Sequence, residues 1–600
     1  MLITTALAGS LVLTPAVLAD ETIDGSSETV IGTGGGTQTS PWDASGILTV
    51  GNTGTGTLTV SEGGAVTNTK GYVGRQIGST GTVTVTGSGS TWTNAQEIYV
   101  GENGDGTLTV ANGGEVTNVG FGTVGLNSGS KGTFIITGTG SKWTTADNTA
   151  VGVYGDGTLT ITDGGIASVR NMTLGHELAG DVGTGTVTVS GAGAQLTTLT
   201  LIVGYQGQGT LDIANGGKVI SSGNGILGSV TGATGAATVT GAGSSWTNAG
   251  LEIGTNGAGI LTIANGGSVT SSNGSVIVAV NSGSIGTLNI GAASGDTAVA
   301  AGTLNADTVS FGAGTGKIVF NHTDTDYTFG ADISGNGSIE FLSGTTRLTG
   351  SNTYTGGTTV TNGLLTVNGS TGDIILNGGT LGGSGTVGNV TTSSGASVAP
   401  GNSIGTLNVS GNIDFASGAT YEVEVDNAGN SDKVAATGTA TINSGASVNV
   451  TAENGTDNGS TYAASTTYTI LSAAGGVTGT FGSVTDNFAY LDAALGYDAN
   501  NVTLTLIRNA AGLASIAKTA NQSAAAQGVG SLNAGNSVYD AVIVLSEAGA
   551  RAAFDSLSGE IHASTNTLLT QNTRFGRDAV GNRIRSAFDG LAANEQPMIA

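Results

Sequence analysis

The sequence predicts an all-β protein, a right-handed parallel β-helix (a solenoid of stacked coils) with a short helical linker at its C-terminal end. Three observations predict it: a Gly- and Thr-rich composition, an internal repeat of about 50 residues that divides in two, and a switch to helical spacing after residue 508. Gly supplies 108 of 600 residues, against a usual share of about 7%. Charged residues are only 10%, aromatics 5%, and there are four prolines. A disordered chain would carry more charge and Pro and fewer β-branched residues. Here Val, Ile and Thr alternate between turns, so the glycines read as turn chemistry. Gly does not fall at every third position, which excludes collagen.

The repeat comes first in the chain. Gly56-Thr57-Leu58-Thr59-Val60 recurs at 106–110, 157–161, 209–213 and 259–263, each copy followed at a fixed offset by a Gly pair such as Gly113-Gly114. Between copies lies a related unit, 81–85 with Trp92, 132–136 with Trp143, 185–189 with Leu196 and 235–239 with Trp246. Each half-repeat of about 25 residues holds three short strands, for example 57–60, 65–68 and 72–74, separated by Gly, Asn and Asp turns. Three strands and three turns make one coil, and stacked coils bury a continuous core. Alternation in Thr-Leu-Thr-Val sends Leu and Val inward and Thr to solvent. Asn68 and Asn118 are expected to stack as an amide ladder at a coil corner. From residue 45 to about 508 there is room for about 18–20 coils at ~4.8 Å each. A β-propeller also uses repeats near 50 residues, but a blade needs four longer strands, and the half-period of 25 argues against it.

Charge and cysteine content exclude several function classes. There is no cysteine, hence no disulfide, thiolate metal site or cysteine nucleophile. The net charge is −25; residues 501–600 are balanced, so the first 500, with nine basic and 34 acidic residues, carry all of it. Such a surface repels nucleic acid and anionic membranes, and no nucleic-acid partner is expected. Residues 1–19 are an apolar run ending Val17-Leu18-Ala19, with small residues where signal peptidase cuts, and read as a signal peptide despite lacking a basic start. No later stretch is apolar enough, for long enough, to span a membrane as a helix.

Beyond residue 340 the strict repeat loosens. Residues 348–369, LTGSNTYTGGTTVTNGLLTVNG, closely resemble the passenger-associated transport repeat of bacterial autotransporters. Residues 381–388 (LGGSGTVG), 399–407 (APGNSIGTL), 421–425 (YEVEV), 468–471 (YTIL) and 497–506 (YDANNVTLTL) resemble the pertactin-like autochaperone stem of the same family. After Arg508, Ala-rich sequence leads into Val538, Val542, Leu545, Phe554, Leu557, Ile561, Leu568 and Phe575, spaced as on helices, and Val580, Ile584, Phe588 and Leu591 continue the pattern. Residues 554–563, FDSLSGEIHA, resemble the segment that precedes the translocator, whose helix occupies the barrel pore in that family. The resemblance implies a signal peptide at 1–19, a repetitive β-helix passenger at 20–340, a transport-repeat region at 341–399, a stem at 400–508 that folds first and templates the coils, and a helical linker at 509–600. It stops short of the translocator: the residues up to Ala600 lack the dozen or so alternating strands of such a barrel. The implied partner is therefore the chain's own or a separate outer-membrane β-barrel.

Catalytic, cofactor and metal residues are not nominated anywhere. The three histidines, His176, His322 and His562, stand in no Ser/His/Asp arrangement, and no Gly-x-Ser-x-Gly nucleophile motif occurs. His176 is expected as a surface imidazole. His322, in Asn321-His322-Thr323-Asp324-Thr325-Asp326, lacks the Gly and terminal Glu of a calcium loop. Glu102, Asp105 and Asp156 beside glycines are read as turn residues. Trp92, Trp143 and Trp246, one per repeat, would suit stacking on a polysaccharide if exposed; Leu196 in the fourth copy favours packing instead. The chain is accordingly expected not to be an enzyme but an exported passenger, on the outer face of the outer membrane or secreted. It would act as an adhesin toward a host-cell or extracellular-matrix receptor. The alternatives are a secreted β-helix hydrolase acting on polysaccharide or protein, and a self-associating surface-layer or biofilm rod.

Overall fold

The computed structural model describes residues 19–178, 181–459, 461–545 and 547–589. The signal-peptide segment up to Leu18 and the helical position Leu591 lie outside them. The strands form a right-handed parallel solenoid of about 17 turns. The chain divides into two compact units, Met1–Ser397 with Asn408–Asn412, and Val398–Leu407 with Ile413–Ala600.

In the first unit each coil carries a long, a corner and a short strand. Thr55–Ser61, Ala65–Asn68 and Lys70–Val73 are followed one coil on by Thr80–Thr86, Thr91–Asn94 and Ile98–Val100. Each strand pairs in parallel with its equivalent above and below. The long strands bury alternate residues, so Leu58, Val83, Leu108, Phe134 and Leu159 form one inward column and Val60, Val85, Val110, Ile136 and Ile161 the next. Each such side chain contributes about 1.5–3 kcal/mol. The threonines between them face out, as the alternation requires.

The turn after every second long strand is equally regular. Asn112 and Gly113 both take left-handed backbone (φ 54° and 87°), and the Gly114 N–H donates to the Ala111 carbonyl at 3.0 Å. Two successive left-handed residues make the tight hairpin-type turn for which Asn-Gly is best suited. Asp163-Gly164, Asn215-Gly216 and Asn265-Gly266 repeat it.

In the second unit, parallel coil strands such as Thr420–Val425 and Ser447–Ala452 give way to an antiparallel trio, Ser465–Ala473, Leu491–Tyr497 and Asn501–Arg508. Tyr421 is fully buried; its hydroxyl donates to the Ile470 carbonyl and accepts from the Val434 N–H. Phe415 and Phe481 pack against its ring. Strands end at Arg508 and helices begin at Ala510. Four short helices, Ala510–Ser515, Ala520–Gly530, Ser537–Ile543 and Glu547–Leu557, enclose Leu513, Ile516, Ala526, Val529, Val542, Ala550 and Phe554. A fifth, Glu560–Asp589, leaves Leu568, Phe575, Val580, Ile584 and Phe588 exposed.

Asp432 gives this unit a pH dependence. Burial pushes its carboxyl up to about 7, opposed by backbone N–H donors from Glu424 and Gly405 at 2.9 Å and assisted by the nearby Glu424 and Glu453 carboxylates. Between about pH 4 and 7 the unfolded chain has released this proton while the folded unit keeps it, so stability falls as pH rises through that window. Hydrogen exchange at the Gly405 and Glu424 amides, corrected for intrinsic rate, is expected to show protection declining from pH 4 to 8. Asp432→Asn should flatten that profile; an unchanged slope in the variant would place the titration elsewhere.

Candidate functional site

The tryptophans are core. Trp92, Trp143 and Trp246 are fully buried, so they form no exposed ladder for a polysaccharide. Each indole N–H donates one coil back, Trp92 to Asn68 Oδ1 at 2.6 Å, Trp143 to Asn118 Oδ1 at 2.9 Å and Trp246 to Ser221 Oγ at 3.3 Å. Each ring occupies space that a glycine vacates: a Cβ on Gly71, Gly122 or Gly225 would lie 2.7, 2.7 or 2.5 Å from Cζ2 of the respective indole. In the copy with Leu196 the glycine's place is held by buried Met172. The expected Asn ladder is short. Asn68 Nδ2 donates to Asn94 Oδ1 at 2.7 Å, whereas Asn118 Nδ2 donates to Thr145 Oγ1 at 2.9 Å, because the corner column changes from Asn to Thr.

His322 is buried, with Nε2 bonded to Thr346 Oγ1 at 2.8 Å and the Tyr327 ring 5.2 Å away. Asp326 of the same loop pairs with Arg347 at 3.4 Å. Glu102 pairs with Arg75 at 3.6 Å, Asp105 starts a strand in register with Lys131, and Asp156 accepts from Thr184 Oγ1. Glu102 and Asp156 therefore serve cross-coil contacts. Among the described residues no group of three or more His, Cys, Asp or Glu could hold a metal ion.

What the structure does bring together lies on the outer face of the short strands. Their middle residues form one outward ladder, Tyr72, Tyr99, Thr123, Ala150, Thr173, Ile202, Ile226 and Glu252. Tyr72 and Tyr99 stack at 4.9 Å, with the Arg75 guanidinium 4.5 Å over the Tyr72 ring. The next three rungs, Thr123, Ala150 and Thr173, are small. The result is a groove of about 500 Å³. Phe121, half-exposed, and the amides of Asn148 and Asn171, bonded to each other at 2.8 Å, form one wall. His176 and Tyr205, with rings 4.8 Å apart, form the other. Thr149 is buried on the core side of the same strand, in register with Gly122 and Met172, and its Oγ1 has no hydrogen-bond partner.

His176 corrects an expectation. It is not a surface imidazole but half-buried, with Nε2 bonded to Thr173 Oγ1 at 2.8 Å. The Tyr205 ring packs against it, and strands Glu177–Leu178 and Asp181–Val182 form a small antiparallel hairpin that interrupts the coil right after it. Burial lowers its pKa from 6.5 to about 4. Between these values the unfolded chain binds a proton that the folded coil refuses, so this coil loses stability as pH falls from 6.5 toward 4. An NMR titration of the imidazoles should give His176 a midpoint near 4. A midpoint near 6.5 would show the ring to be solvated.

Apart from His176, the groove residues were not singled out from the sequence. The signal was present, since the middle residue of each short strand falls 16–18 residues after the first glycine of the long-strand motif. The wall residues Phe121 and Tyr205, however, lie at the turns, where no alternation marks them.

No known protein-family profile matches the chain. An extracellular serine protease of Serratia marcescens is 34% identical over 219 residues, covering 29% of this chain and 21% of the protease. The Adhesin BmaC autotransporter of Brucella suis biovar 1 (strain 1330) is 34% identical over 227 residues, covering 35% of this chain and 6% of the adhesin. The lipoprotein YdeK of Escherichia coli (strain K12), itself uncharacterised, is 30% identical over 182 residues, covering 30% of this chain and 10% of that protein. The chain thus spans about a fifth or less of the length of each. These similarities agree with a passenger region, extracellular or at the cell surface. They also correct the expectation that the chain is not an enzyme: a second extracellular serine protease of Serratia marcescens, 31% identical over 219 residues, joins the first, so its relatives include enzymes.

Proposed function

We propose that this chain is the passenger region of an autotransporter, exported through the periplasm and held at or released from the outer face of the outer membrane, where it acts in attachment. The observation that supports this most is the identity to the Brucella suis adhesin autotransporter in a chain that is otherwise a β-solenoid. In this reading residues 341–399 are the transport-repeat region and 400–508 the stem that folds first. Residues 509–600 are the linker to an outer-membrane barrel, and the exposed apolar side chains of Glu560–Asp589 meet that barrel's interior. No described helix is long and apolar enough to cross a membrane. The partners are a host-cell or matrix receptor, or further copies of the chain.

The test is to display the chain on a bacterium through a β-barrel translocator and count attachment to epithelial cells, to immobilised matrix proteins and between bacteria. Attachment above the barrel-only control is expected for at least one surface; none for all three overturns the reading.

A second reading is favoured by the Serratia marcescens proteases: the solenoid is the scaffold of a secreted serine protease. A fluorophosphonate probe that labels active-site serines distinguishes it. Labelling of a serine in this chain would support the protease reading; absence of labelling in the longest native polypeptide would remove it.

A further inference from the structure

We propose that the groove between Phe121 and Tyr205 is a binding site for an uncharged oligosaccharide, laid along the solenoid axis across the short strands. The inference rests on the adhesive reading for its extracellular setting, and the groove's own chemistry names the ligand class.

Four features of the site carry it. The groove lies on a sheet face whose rungs repeat at about 4.8 Å, and three successive small rungs, Thr123, Ala150 and Thr173, open it over several coils. An elongated ligand made of similar units fits such a trough better than a compact one. Its two walls carry aromatic faces, Phe121 on one side and Tyr205 with His176 on the other. Aromatic faces with a polar handle beside them suit the C–H faces of sugar rings.

The third feature is the polar inventory. Asn148 and Asn171 use one amide contact on each other, Nδ2 of Asn171 to Oδ1 of Asn148, and each amide has further donor or acceptor capacity. Thr200 adds a hydroxyl at one end. Hydroxyls and amides without a full charge are the donors and acceptors that recognise sugar hydroxyls.

The fourth is charge. Among the described residues lining the groove none is acidic or basic, and His176, its pKa lowered to about 4, is neutral at pH 7. The chain as a whole carries −25. An anionic glycan would therefore enter a negative field with no cation to receive it, and a cationic ligand would find no carboxylate in the lining. An uncharged polymer of hydroxylated rings meets neither obstacle. The volume, about 500 Å³, falls within the range of small-molecule sites.

The experiment uses the full chain on an array of linear neutral oligosaccharides (gluco-, manno- and N-acetylglucosamine series) beside acidic ones (uronic and sialic acid series), followed by calorimetric titration of the best neutral binder. Binding to at least one neutral series is expected, with acidic counterparts at least tenfold weaker. Ala150→Gln, which fills the trough at an outward position, and Tyr205→Ala should each weaken binding at least tenfold. Ile277→Gln, on the same outward ladder beyond the groove, should leave it unchanged; circular dichroism verifies the fold of each variant. No neutral binding at millimolar concentration, equal binding of acidic chains, or binding indifferent to Ala150→Gln would overturn the proposal. A chain that attaches to cells yet binds no neutral oligosaccharide retains the adhesive reading and loses the groove. A chain that binds oligosaccharide but attaches to nothing does the reverse.

Discussion

Trp143→Ala is expected to destabilise its coil and the two beside it by about 3–5 kcal/mol, the range for removing a buried Trp. The loss has two parts: a cavity beside Gly122, and a lost N–H donor to Asn118 Oδ1. Gly122→Met in the native background is expected to be comparably harmful, because its Cβ alone would sit 2.7 Å from the indole and rigid rings cannot yield. Together the changes should behave differently. The neighbouring copy of the repeat pairs Met172 with Leu196, so Gly122→Met with Trp143→Leu rebuilds an arrangement the chain already uses. The double variant is expected to recover most of the loss, with a coupling of at least about 2 kcal/mol in a double-mutant cycle. Hydrogen exchange over residues 115–151 measures it. Additive losses would mean that the two positions do not share one volume.

Gly106→Ala should be worse than its size suggests. A Cβ there would lie 2.2 Å from the Val73 carbonyl oxygen and 2.3 Å from the Gly101 nitrogen, both backbone, so no rotamer change relieves the clash. Gly81, Gly132 and Gly157 hold equivalent positions with contacts equally short. A loss above about 4 kcal/mol is expected, beyond the range of ordinary substitutions. It should show as new protease cleavage confined to nearby coils, since solenoid coils contact only their neighbours. Gly528→Ala supplies the contrast: it lies in helix Ala520–Gly530 with nothing within 4 Å of the added Cβ, and should be neutral or stabilising by up to about 1 kcal/mol. Equal melting of Gly106→Ala and the native chain would contradict the tight closure of the coil.

Much of the fold was legible because the core follows alternation. Leu58 and Val60 point inward in a strand of Thr-Leu-Thr-Val, and Asn112-Gly113 marks its own turn; both are local signals. The site was not, for three physical reasons. The receiving glycines stand 21 residues before their tryptophans, at 71, 122 and 225, a spacing that means contact only once the coil length is known. His176 stands next to a hairpin that breaks the repeat, and a periodic argument is blind where the period fails. The groove is made by what is missing from three outward rungs, and small residues at solvent positions carry no pattern of their own. In the fifth helix the periodicity was right, yet Leu568 and Phe575 are exposed among the described residues: spacing shows that a face is apolar without showing what meets it.

The outward ladder of the short strands has an evolutionary consequence. Each coil contributes one side chain there that touches solvent on one side and a sheet on the other, and its inward neighbours already satisfy the core. Such a position can change without repacking anything. A trough can be moved, lengthened or filled one rung at a time, as Tyr99, Thr123, Ala150, Thr173 and Ile202 show along one row. Recognition of a new ligand would then be reached through single exchanges of nearly neutral cost, with the scaffold acting as a rack of interchangeable tiles.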